Sequence, residues 1–406
     1  MESASTSEPL VVGTPAATGP ALAPISAILL LAWSHFLLDG TSTFLPGVLP
    51  AVLTQLQIPL RLVGVVMASL LVGQALQPCF GWFADKLGGR AFILCGVGGS
   101  ALGGALIGWV PGYWSLAGAL LMVGLSGAMF HPQALASVRV LPVQRTGLCM
   151  STFLLGGQLG QAIWPLLASL VVVGRGLHWL PLLSLPAFLS LPFLAPRLPH
   201  LPRHPDRSRR VIWRGRRLAL ATLVAYVGLE SGVQYSLVTF LPILWVRRGG
   251  SLVGGASLIT VILFAGVAGN IVGGHLSDHI GRRPIMVLSG AMAASCLALL
   301  LLFPGPLMWL LLAGIGMALI SSNPAQILVG QDLLPENRSI GSGFAMGFSN
   351  AMGALLMVGL GYLAAYSSIF AVLWLDVFLC TAAALTPFLL PASALGLRPA
   401  PELTPA

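Results

Sequence analysis

The chain has 406 residues, of which 56% are apolar and only 8% are charged. An average soluble domain carries about 25% charged residues, so this composition excludes a water-facing globular protein. The formal net charge is +9, because 20 lysine and arginine residues outnumber 11 aspartate and glutamate residues. In a chain this apolar, we interpret the excess as charge on loops at one membrane surface, and we expect no binding of nucleic acid.

Residues 1–20 are rich in Ser, Thr, Pro and Ala and contain no lysine or arginine. A cleavable secretory signal needs a basic region before its apolar core. We therefore expect residues 1–20 to form a disordered tail and the apolar run that follows to remain in the membrane.

A helix that crosses a bilayer needs about 20 mostly apolar residues. Charged or Gly/Pro-rich breaks divide the chain into twelve such segments, which predicts an all-α membrane protein. The predicted spans are residues 22–53, 61–84, 91–110, 113–138, 146–173, 178–195, 217–245, 252–276, 284–303, 307–331, 339–364 and 369–391.

One long break, residues 196–216, is rich in Pro and Arg and separates six spans from six. The sequence thus predicts two six-helix bundles, at 21–195 and 217–391, joined by this linker and followed by a tail at 392–406. Sixteen of the 20 basic residues fall in or beside connections on the same side of the membrane as this linker. By the positive-inside rule, this asymmetry places both termini in the cytoplasm.

The two halves repeat each other at a constant offset. Five residues of the first half recur 193 positions later: Gly73, Gly81, Asp85, Gly88 and Arg90 correspond to Gly266, Gly274, Asp278, Gly281 and Arg283. A duplicated six-helix unit is typical of proteins whose central site opens alternately to the two sides of a membrane.

The repeated segments GWFADKLGGR (81–90) and GGHLSDHIGRR (273–283) follow the pattern G-x-x-x-D-x-x-G-x-R. The first glycine permits close helix packing, the aspartate can accept hydrogen bonds from a helix N-terminus, and the arginine can pair with a carboxylate. The alternative is a pair of tight charged loops. We predict a conformational latch formed by Gly81, Asp85, Gly88, Arg90, Gly274, Asp278, Gly281 and Arg283.

Three carboxylates, Asp39, Glu230 and Asp376, fall within predicted spans. A charge at mid-bilayer costs at least about 2.5–3.5 kcal/mol, so each requires a compensating role, either in function or as a buried hydrogen-bonding group. His35 precedes Asp39 by four residues and therefore shares its helix face. We predict that at least one of Asp39 and Glu230 binds the coupling proton. For Asp376, in the twelfth span, we favour a structural role.

Glu230 shares a helix face with Tyr226 and Gln234, four residues to either side, which predicts a polar lining for a substrate or proton. His131 precedes Pro132 inside the fourth span. A proline frees a backbone carbonyl, so His131 either satisfies that carbonyl or relays a proton.

The remaining motifs argue against an enzyme. The five cysteines lie in apolar stretches without CxxC spacing, so we expect neither a metal site nor a disulfide framework. The sequence contains no phosphate-binding loop, metalloprotease motif or nucleophile elbow, and it offers no cofactor-binding fingerprint. A membrane sensor is the other alternative, but such proteins usually add a soluble domain, which this sequence lacks.

The twelve spans and both loop motifs resemble the major facilitator superfamily over nearly the whole chain after residue 20. Within it, three stretches are similar to the fosmidomycin resistance protein group: SHFLLDG (34–40) followed by LP at 45–46, GAMFHPQA (127–134) and LPENRSIGSG (334–343). The resemblance implies a carrier in the bacterial inner membrane that exchanges drugs for protons.

Two positions depart from the patterns that this resemblance implies. Glu230 stands where the group is expected to carry arginine. Gly156, Gly160 and Pro165 form a partial version of the antiporter glycine pattern, with Gln161 where proline would follow the glycine.

We therefore expect a secondary active transporter that exports a small drug-like or anionic compound in exchange for protons. It would act as a monomer, with a small molecule, protons and the lipid bilayer as its partners. The alternative is a carrier of organic anions or metabolites with the same fold and a different coupling.

Overall fold

The computed structural model describes residues 24–87, 89–141, 146–198, 215–303, 305–335, 341 and 344–391. Both expected tails, most of the expected linker at 196–216, and Gly88 lie outside the described residues, as does the side chain of Asp85.

Twelve helical segments of the described chain are long and apolar enough to cross a membrane, which confirms the predicted number. We number them spans 1 to 12. They are Ile25–Gln55, Leu60–Ala84, Gly89–Leu106, Tyr113–Val138, Cys149–Arg175, Leu177–Arg197, Arg217–Arg247, Leu252–Ile280, Arg282–Leu302, Met308–Leu333, Phe344–Tyr366 and Ile369–Leu389. No β-strand occurs in the described ranges, so the all-α fold class is confirmed.

The ends of the spans agree with the sequence prediction within four residues, except at the start of span 11. The sequence predicts that span from residue 339, and its described part begins at Phe344. Charged residues mark several of the other ends, because a charged side chain is costly within the hydrocarbon region.

Several spans are interrupted rather than straight. Proline removes a backbone donor and favours such breaks, and Pro46, Pro78 and Pro324 each follow one closely. The interrupted spans are span 1 (Pro24–Ser42 and Phe44–Gln55), span 2 (Leu60–Ala75 and Gln77–Leu87), span 10 (Met308–Ser321 and Asn323–Leu333) and span 6 (the 3₁₀ segment Leu177–Ser184, then Leu185–Arg197). Breaks of this kind bring polar backbone groups to membrane depth.

The two bundles meet chiefly along two helix pairs, spans 2 and 11 and spans 5 and 8, with smaller contacts of span 1 against spans 7 and 8. Spans 2 and 11 cross at two glycines: a Cβ added at Gly361 would lie 2.8 Å from the backbone nitrogen of Gly64. Spans 5 and 8 are joined by a hydrogen bond in which Thr260 donates to the carbonyl oxygen of Ala162 at 2.8 Å. Small residues allow this close approach, as is usual between membrane helices.

The sequence repeat is also visible as a repeated contact. A Cβ at Gly81 would lie 3.6 Å from Pro132, and a Cβ at Gly274 would lie 3.4 Å from Pro324. In each bundle, therefore, the end of the second helix packs on the proline of the fourth helix.

Candidate functional site

Asp39 lies one turn before the break in span 1. The hydroxyls of Ser42 and Thr43 both donate to its carbonyl oxygen, at 2.8 and 3.0 Å. These bonds satisfy a backbone acceptor that the interruption would otherwise leave unpaired. The break therefore holds Asp39 at a fixed position inside the first bundle, where it is only 4% exposed.

Three side chains from three spans converge on the Asp39 carboxylate. His35 Nε2 lies 3.2 Å from Oδ2, and His131 Nε2 lies 3.4 Å from Oδ1. Gln161 in span 5 donates from Nε2 to Oδ2 at 2.7 Å. We call these four residues the Asp39 cluster.

Both imidazole rings of the cluster are oriented by backbone carbonyls. Nδ1 of His35 lies 2.9 Å from the carbonyl oxygen of Phe153, and Nδ1 of His131 lies 2.7 Å from that of Gly127. A carbonyl oxygen only accepts, so each Nδ1 is assigned a proton, and a hydrogen bond from Nε2 to the carboxylate requires a second proton on the ring. The cluster therefore has two positions, one on each side of Asp39, at which imidazole and carboxylate can share a proton.

Glycines in span 5 bring the cluster together. A Cβ at Gly160 would lie 2.9 Å from the backbone nitrogen of Gly40, and a Cβ at Gly157 would overlap the His35 ring. Spans 1 and 5 are consequently packed backbone to backbone. Only at this separation can the short Gln161 side chain reach Asp39.

Glu230 occupies the corresponding region of the second bundle with different neighbours. It is 5% exposed, and no histidine, lysine or arginine is among its described partners. Its carboxylate accepts four hydrogen bonds from neutral donors in spans 7, 9 and 10: Tyr226 and Ser289 donate to Oε1, each at 2.7 Å, Ser322 donates to Oε2 at 2.7 Å, and Gln326 also donates to Oε2.

Asp376 forms a third buried carboxyl site, fully enclosed between spans 7 and 12. Ser236 donates to its Oδ2 at 2.6 Å, whereas Oδ1 has no hydrogen-bond partner in the described chain. No hydrogen bond among the described residues joins this carboxyl group to the Asp39 cluster or to the donors around Glu230.

A cavity of about 60 Å³ lies between the two bundles. Its polar lining consists of three glutamines, a tyrosine and two hydroxyl residues, and none of the lining residues is charged: the polar ones are Ser42, Thr43, Gln74, Gln161, Gln234 and Tyr235. Tyr235 donates across the bundle interface to Gln74 Oε1 at 3.2 Å. Sites for drug-sized ligands span about 300–1,000 Å³, so this cavity is smaller than a drug-sized ligand requires.

Gln161 belongs to both the Asp39 cluster and the central cavity. Gln234 lines the same cavity, whereas Tyr226, predicted to share a lining with it, is turned towards Glu230. The predicted proton and substrate candidates thus fall into two groups, one beside the cavity and one inside the second bundle.

The predicted latch residues lie at the ends of spans 2, 3, 8 and 9. Gly281 has φ +91°, a left-handed conformation that favours glycine. Arg283 donates to the carbonyl oxygen of Leu390 at 2.9 Å, while its neighbour Arg282 pairs with Asp332 at 2.6 Å. Asp278 is exposed and Arg90 is half-buried; Gly88 and the Asp85 side chain are outside the described part.

His35, Asp39 and His131 are also the one described group whose ligand-type atoms lie close enough to hold a metal ion, all within 4.8 Å of one another. The distances of 3.2 and 3.4 Å from the two histidines to Asp39 are those of imidazole and carboxylate groups that share protons, which explains this grouping without a metal ion. The expectation of no metal site stays a prediction.

Sequence reasoning missed Gln161 as a hydrogen-bond donor to Asp39, and it missed Ser289, Ser322 and Gln326 around Glu230. The one available signal was the glutamine that stands in place of proline in span 5. Isolated serines in apolar helices often bond to their own backbone, so nothing in the sequence distinguished Ser289 and Ser322.

The chain matches the profile of the Major Facilitator Superfamily over residues 31–357. It is 28% identical to the fosmidomycin resistance protein of Escherichia coli (strain K12), over 93% of this chain and 96% of that one. It is 26% identical to the uncharacterized MFS-type transporter YfnC of Bacillus subtilis (strain 168), over 87% of this chain and 90% of that one.

Solved structures show the same fold. A bacterial homolog of the human lysosomal transporter Spinster gives a TM-score of 0.76 at 14% identity, covering 93% of this chain and 99% of that one. A D-xylose–proton symporter gives 0.74 at 16% identity, covering 91% and 99%. These matches confirm the resemblance drawn from the sequence motifs. The chain therefore belongs to the Major Facilitator Superfamily and is an integral membrane transporter, not an enzyme.

Proposed function

We propose that the protein is a proton-coupled exporter of small drug-like compounds in the bacterial inner membrane. It would act as a monomer, with both termini in the cytoplasm, and exchange one compound for protons by alternating access. The similarity to a fosmidomycin resistance protein over nearly the whole chain supports this proposal. So does the group of relatives named as putative multidrug resistance proteins, two of which are 27% and 25% identical over part of the chain.

The Asp39 cluster carries the proposal. A proton-coupled carrier needs a site that takes up and releases protons inside the membrane and that is linked to the substrate. Asp39 lies between two imidazoles at 3.2 and 3.4 Å, and its third partner, Gln161, lines the cavity between the bundles. Proton binding and substrate binding would therefore meet within one hydrogen-bonded group.

Glu230 would hold the second bundle together instead of carrying the proton. Its four neutral donors come from helices of that bundle alone, and none of them lines the central cavity. Three of these donors also have a backbone carbonyl within reach, so the network can adjust if the carboxylate changes. Of the two carboxylates expected from the sequence, we thus assign the coupling proton to Asp39.

A carrier of organic anions remains the second candidate. One observation favours it: a solvent-open cavity of about 480 Å³ at the ends of spans 2, 7, 11 and 12 includes Arg61 and Arg247 in its lining. The central cavity itself has no charged lining residue, and the relative that is similar over nearly the whole chain is named for drug resistance. For this reason we favour drug export.

Transport in proteoliposomes tests the proposal. Purified protein is reconstituted, and uptake of radiolabelled fosmidomycin and of a panel of other antibiotics is followed with an imposed pH gradient of either sign. We expect accumulation on the side with the higher proton concentration, and collapse of the gradient by an ionophore should abolish it. Uptake that ignores both the sign and the presence of the gradient would contradict proton coupling.

A further inference from the structure

Gln161 is the one described side chain that both lines the central cavity and bonds to the carboxylate of Asp39; Ser42 and Thr43 also line the cavity, but they bond to the backbone carbonyl of Asp39. The cavity contains two other glutamines. Gln74 accepts from Tyr235 of the opposite bundle, and Gln234 lines the wall without a hydrogen bond to the Asp39 cluster. The structure therefore offers one amide through which an occupant of the cavity can act on the carboxylate.

The two ends of this amide have opposite hydrogen-bonding character. Its Nε2 donates to Asp39 Oδ2 at 2.7 Å, which leaves Oε1 as the acceptor for an occupant of the cavity. An N–H or O–H group that donates to Oε1 polarises the amide and strengthens the bond from Nε2 to Asp39, because linked hydrogen bonds reinforce each other. A better-solvated carboxylate holds its protons less tightly.

The sense of this linkage fits an exporter. In an antiporter, substrate binding must weaken proton binding, and by linkage proton binding must weaken substrate binding to the same extent. A substrate that offers a donor to Gln161 Oε1 has this effect. A substrate that instead draws Nε2 away from Asp39 would leave the carboxylate without its shortest hydrogen bond, and it would make proton and substrate bind together.

We propose that Gln161 transmits substrate binding to the Asp39 cluster, and that the exported compounds present a hydrogen-bond donor, such as a hydroxyl, hydroxamic acid or amine group, to its Oε1. This inference rests on the proposed proton-coupled export and names its substrate chemistry. Gln161 acts here as a positioning residue, since it moves no proton itself.

The first test needs no ligand. Infrared difference spectra between two pH values follow the carboxyl group of the cluster, assigned as the band lost in Asp39→Asn. Removing the Gln161 donor should make the cluster hold its proton about tenfold more tightly, the effect of one charge-assisted hydrogen bond. Gln161→Leu should therefore titrate about one pH unit higher than wild type. Gln234→Leu, which removes a cavity amide without contact to Asp39, should titrate as wild type does.

The second test adds fosmidomycin as the probe, in weakly buffered detergent solution with a pH-indicator dye. Wild type and Gln234→Leu should release protons on binding, although Gln234→Leu should bind more weakly. Gln161→Leu and Gln161→Met should bind without releasing protons. The two substitutions at position 161 differ in shape, so a folding defect in one leaves the other as the test.

The outcomes separate this inference from the proposed function. Suppose that pH gradients drive transport by the wild-type protein, but the Asp39 cluster of Gln161→Leu titrates and releases protons as in wild type. The role of Gln161 is then refuted, and proton-coupled export stands. If no compound of the panel is driven by a pH gradient, export itself fails. An unchanged titration in Gln161→Leu overturns the inference with or without a ligand.

Discussion

At the scale of single residues, Asp39 and Glu230 are buried to the same degree but are stabilised in different ways. Asp39 faces two ionisable imidazoles, whereas Glu230 faces hydroxyls and an amide. Protons can be shared between a carboxylate and an imidazole, because histidine titrates near physiological pH. Hydroxyl and amide donors stabilise a carboxylate but take up no proton in that range. The two surroundings thus suit proton exchange at Asp39 and structural bonding at Glu230.

Substitution of Glu230 tests this difference. Glu230→Gln keeps the shape of the side chain and the two hydrogen bonds to the oxygen that remains. Because three of the four donors also have a backbone carbonyl within reach, we expect a folded protein whose transport still follows the pH gradient. Glu230→Leu removes the acceptor that four buried donors share, and only three of them have a backbone carbonyl within reach. A buried group left unpaired costs about 1–3 kcal/mol, so this variant should lower the thermal midpoint in detergent. Normal substrate exchange together with a loss of pH-driven uptake in Glu230→Gln would move the coupling site to Glu230.

The sequence predicts part of the residue-scale picture. The four-residue spacing of His35 and Asp39 is enough by itself to place them on one helix face, and the two side chains are in contact. The approach of His131 and Gln161 could not be predicted, because it depends on how spans 4 and 5 are rotated and how closely they pack. Neither quantity is encoded in helix periodicity.

At the scale of helices, glycines set the distance between spans 1 and 5. A Cβ at Gly156 would lie 2.9 Å from the carbonyl carbon of Ala32, which is closer than van der Waals contact allows. Backbone atoms cannot move aside as a flexible side chain can. The separation of these two spans, and with it the reach of Gln161 to Asp39, is therefore sensitive to one methyl group.

Gly156→Ala should separate the two spans and destabilise the protein by about 1–3 kcal/mol, the usual cost of overpacking. It should also impair pH-driven transport, because Gln161 moves away from Asp39. Gly118→Ala is the matched control: a Cβ at this helical glycine meets nothing within 4 Å. Thermal melting in detergent should show a lower midpoint for Gly156→Ala and an unchanged or slightly raised one for Gly118→Ala. Equal midpoints would contradict the packing argument.

The loop motifs at the ends of spans 2 and 8 are held by contacts between helices. The second motif is held within its own bundle by Arg282, which pairs with Asp332, and by Arg283, which donates to Leu390. Asp278 of the same motif is exposed. Position and sequence equivalence make Asp85 the corresponding carboxylate of the first bundle.

We predict that Asp85→Asn leaves the protein folded but slows transport, because the amide keeps the shape of the side chain and loses its charge. Asp278→Asn should have the smaller effect, because Arg282 and Arg283 hold the second motif in place through contacts that do not involve Asp278. Initial transport rates at equal protein content measure both variants. A wild-type rate in Asp85→Asn would remove the argument for a latch.

At the scale of the whole molecule, the described parts of two repeated bundles enclose a small, uncharged cavity. The repeat is predictable from the 193-residue offset, and the equivalent Gly81–Pro132 and Gly274–Pro324 contacts show it in three dimensions. The bundles nevertheless differ in chemistry: the first contains the histidines of the Asp39 cluster, and the second contains the four neutral donors around Glu230. A duplicated fold can thus assign proton binding to one half while the other half provides a stable partner for it to move against.

Energy for export would come from the charge that crosses with the proton. One elementary charge that moves through 100 mV exchanges about 2.3 kcal/mol with the membrane potential, enough for roughly a fifty-fold gradient of an uncharged compound exchanged one for one. The number of protons per cycle therefore sets how far a compound can be concentrated. If Asp39 is the coupling site, this number equals the number of protons that leave the two imidazole–carboxylate contacts beside Asp39 in each cycle.

In this proposal, Asp39 binds the proton that drives export. Two modes of transport by Asp39→Asn in proteoliposomes test this role: exchange of labelled for unlabelled compound at equal pH, and uptake driven by a pH gradient. We expect exchange to persist within about tenfold of wild type, while pH-driven uptake falls to the level of protein-free liposomes. If Asp39→Asn still concentrates the compound in response to the gradient as wild type does, Asp39 is not the coupling site.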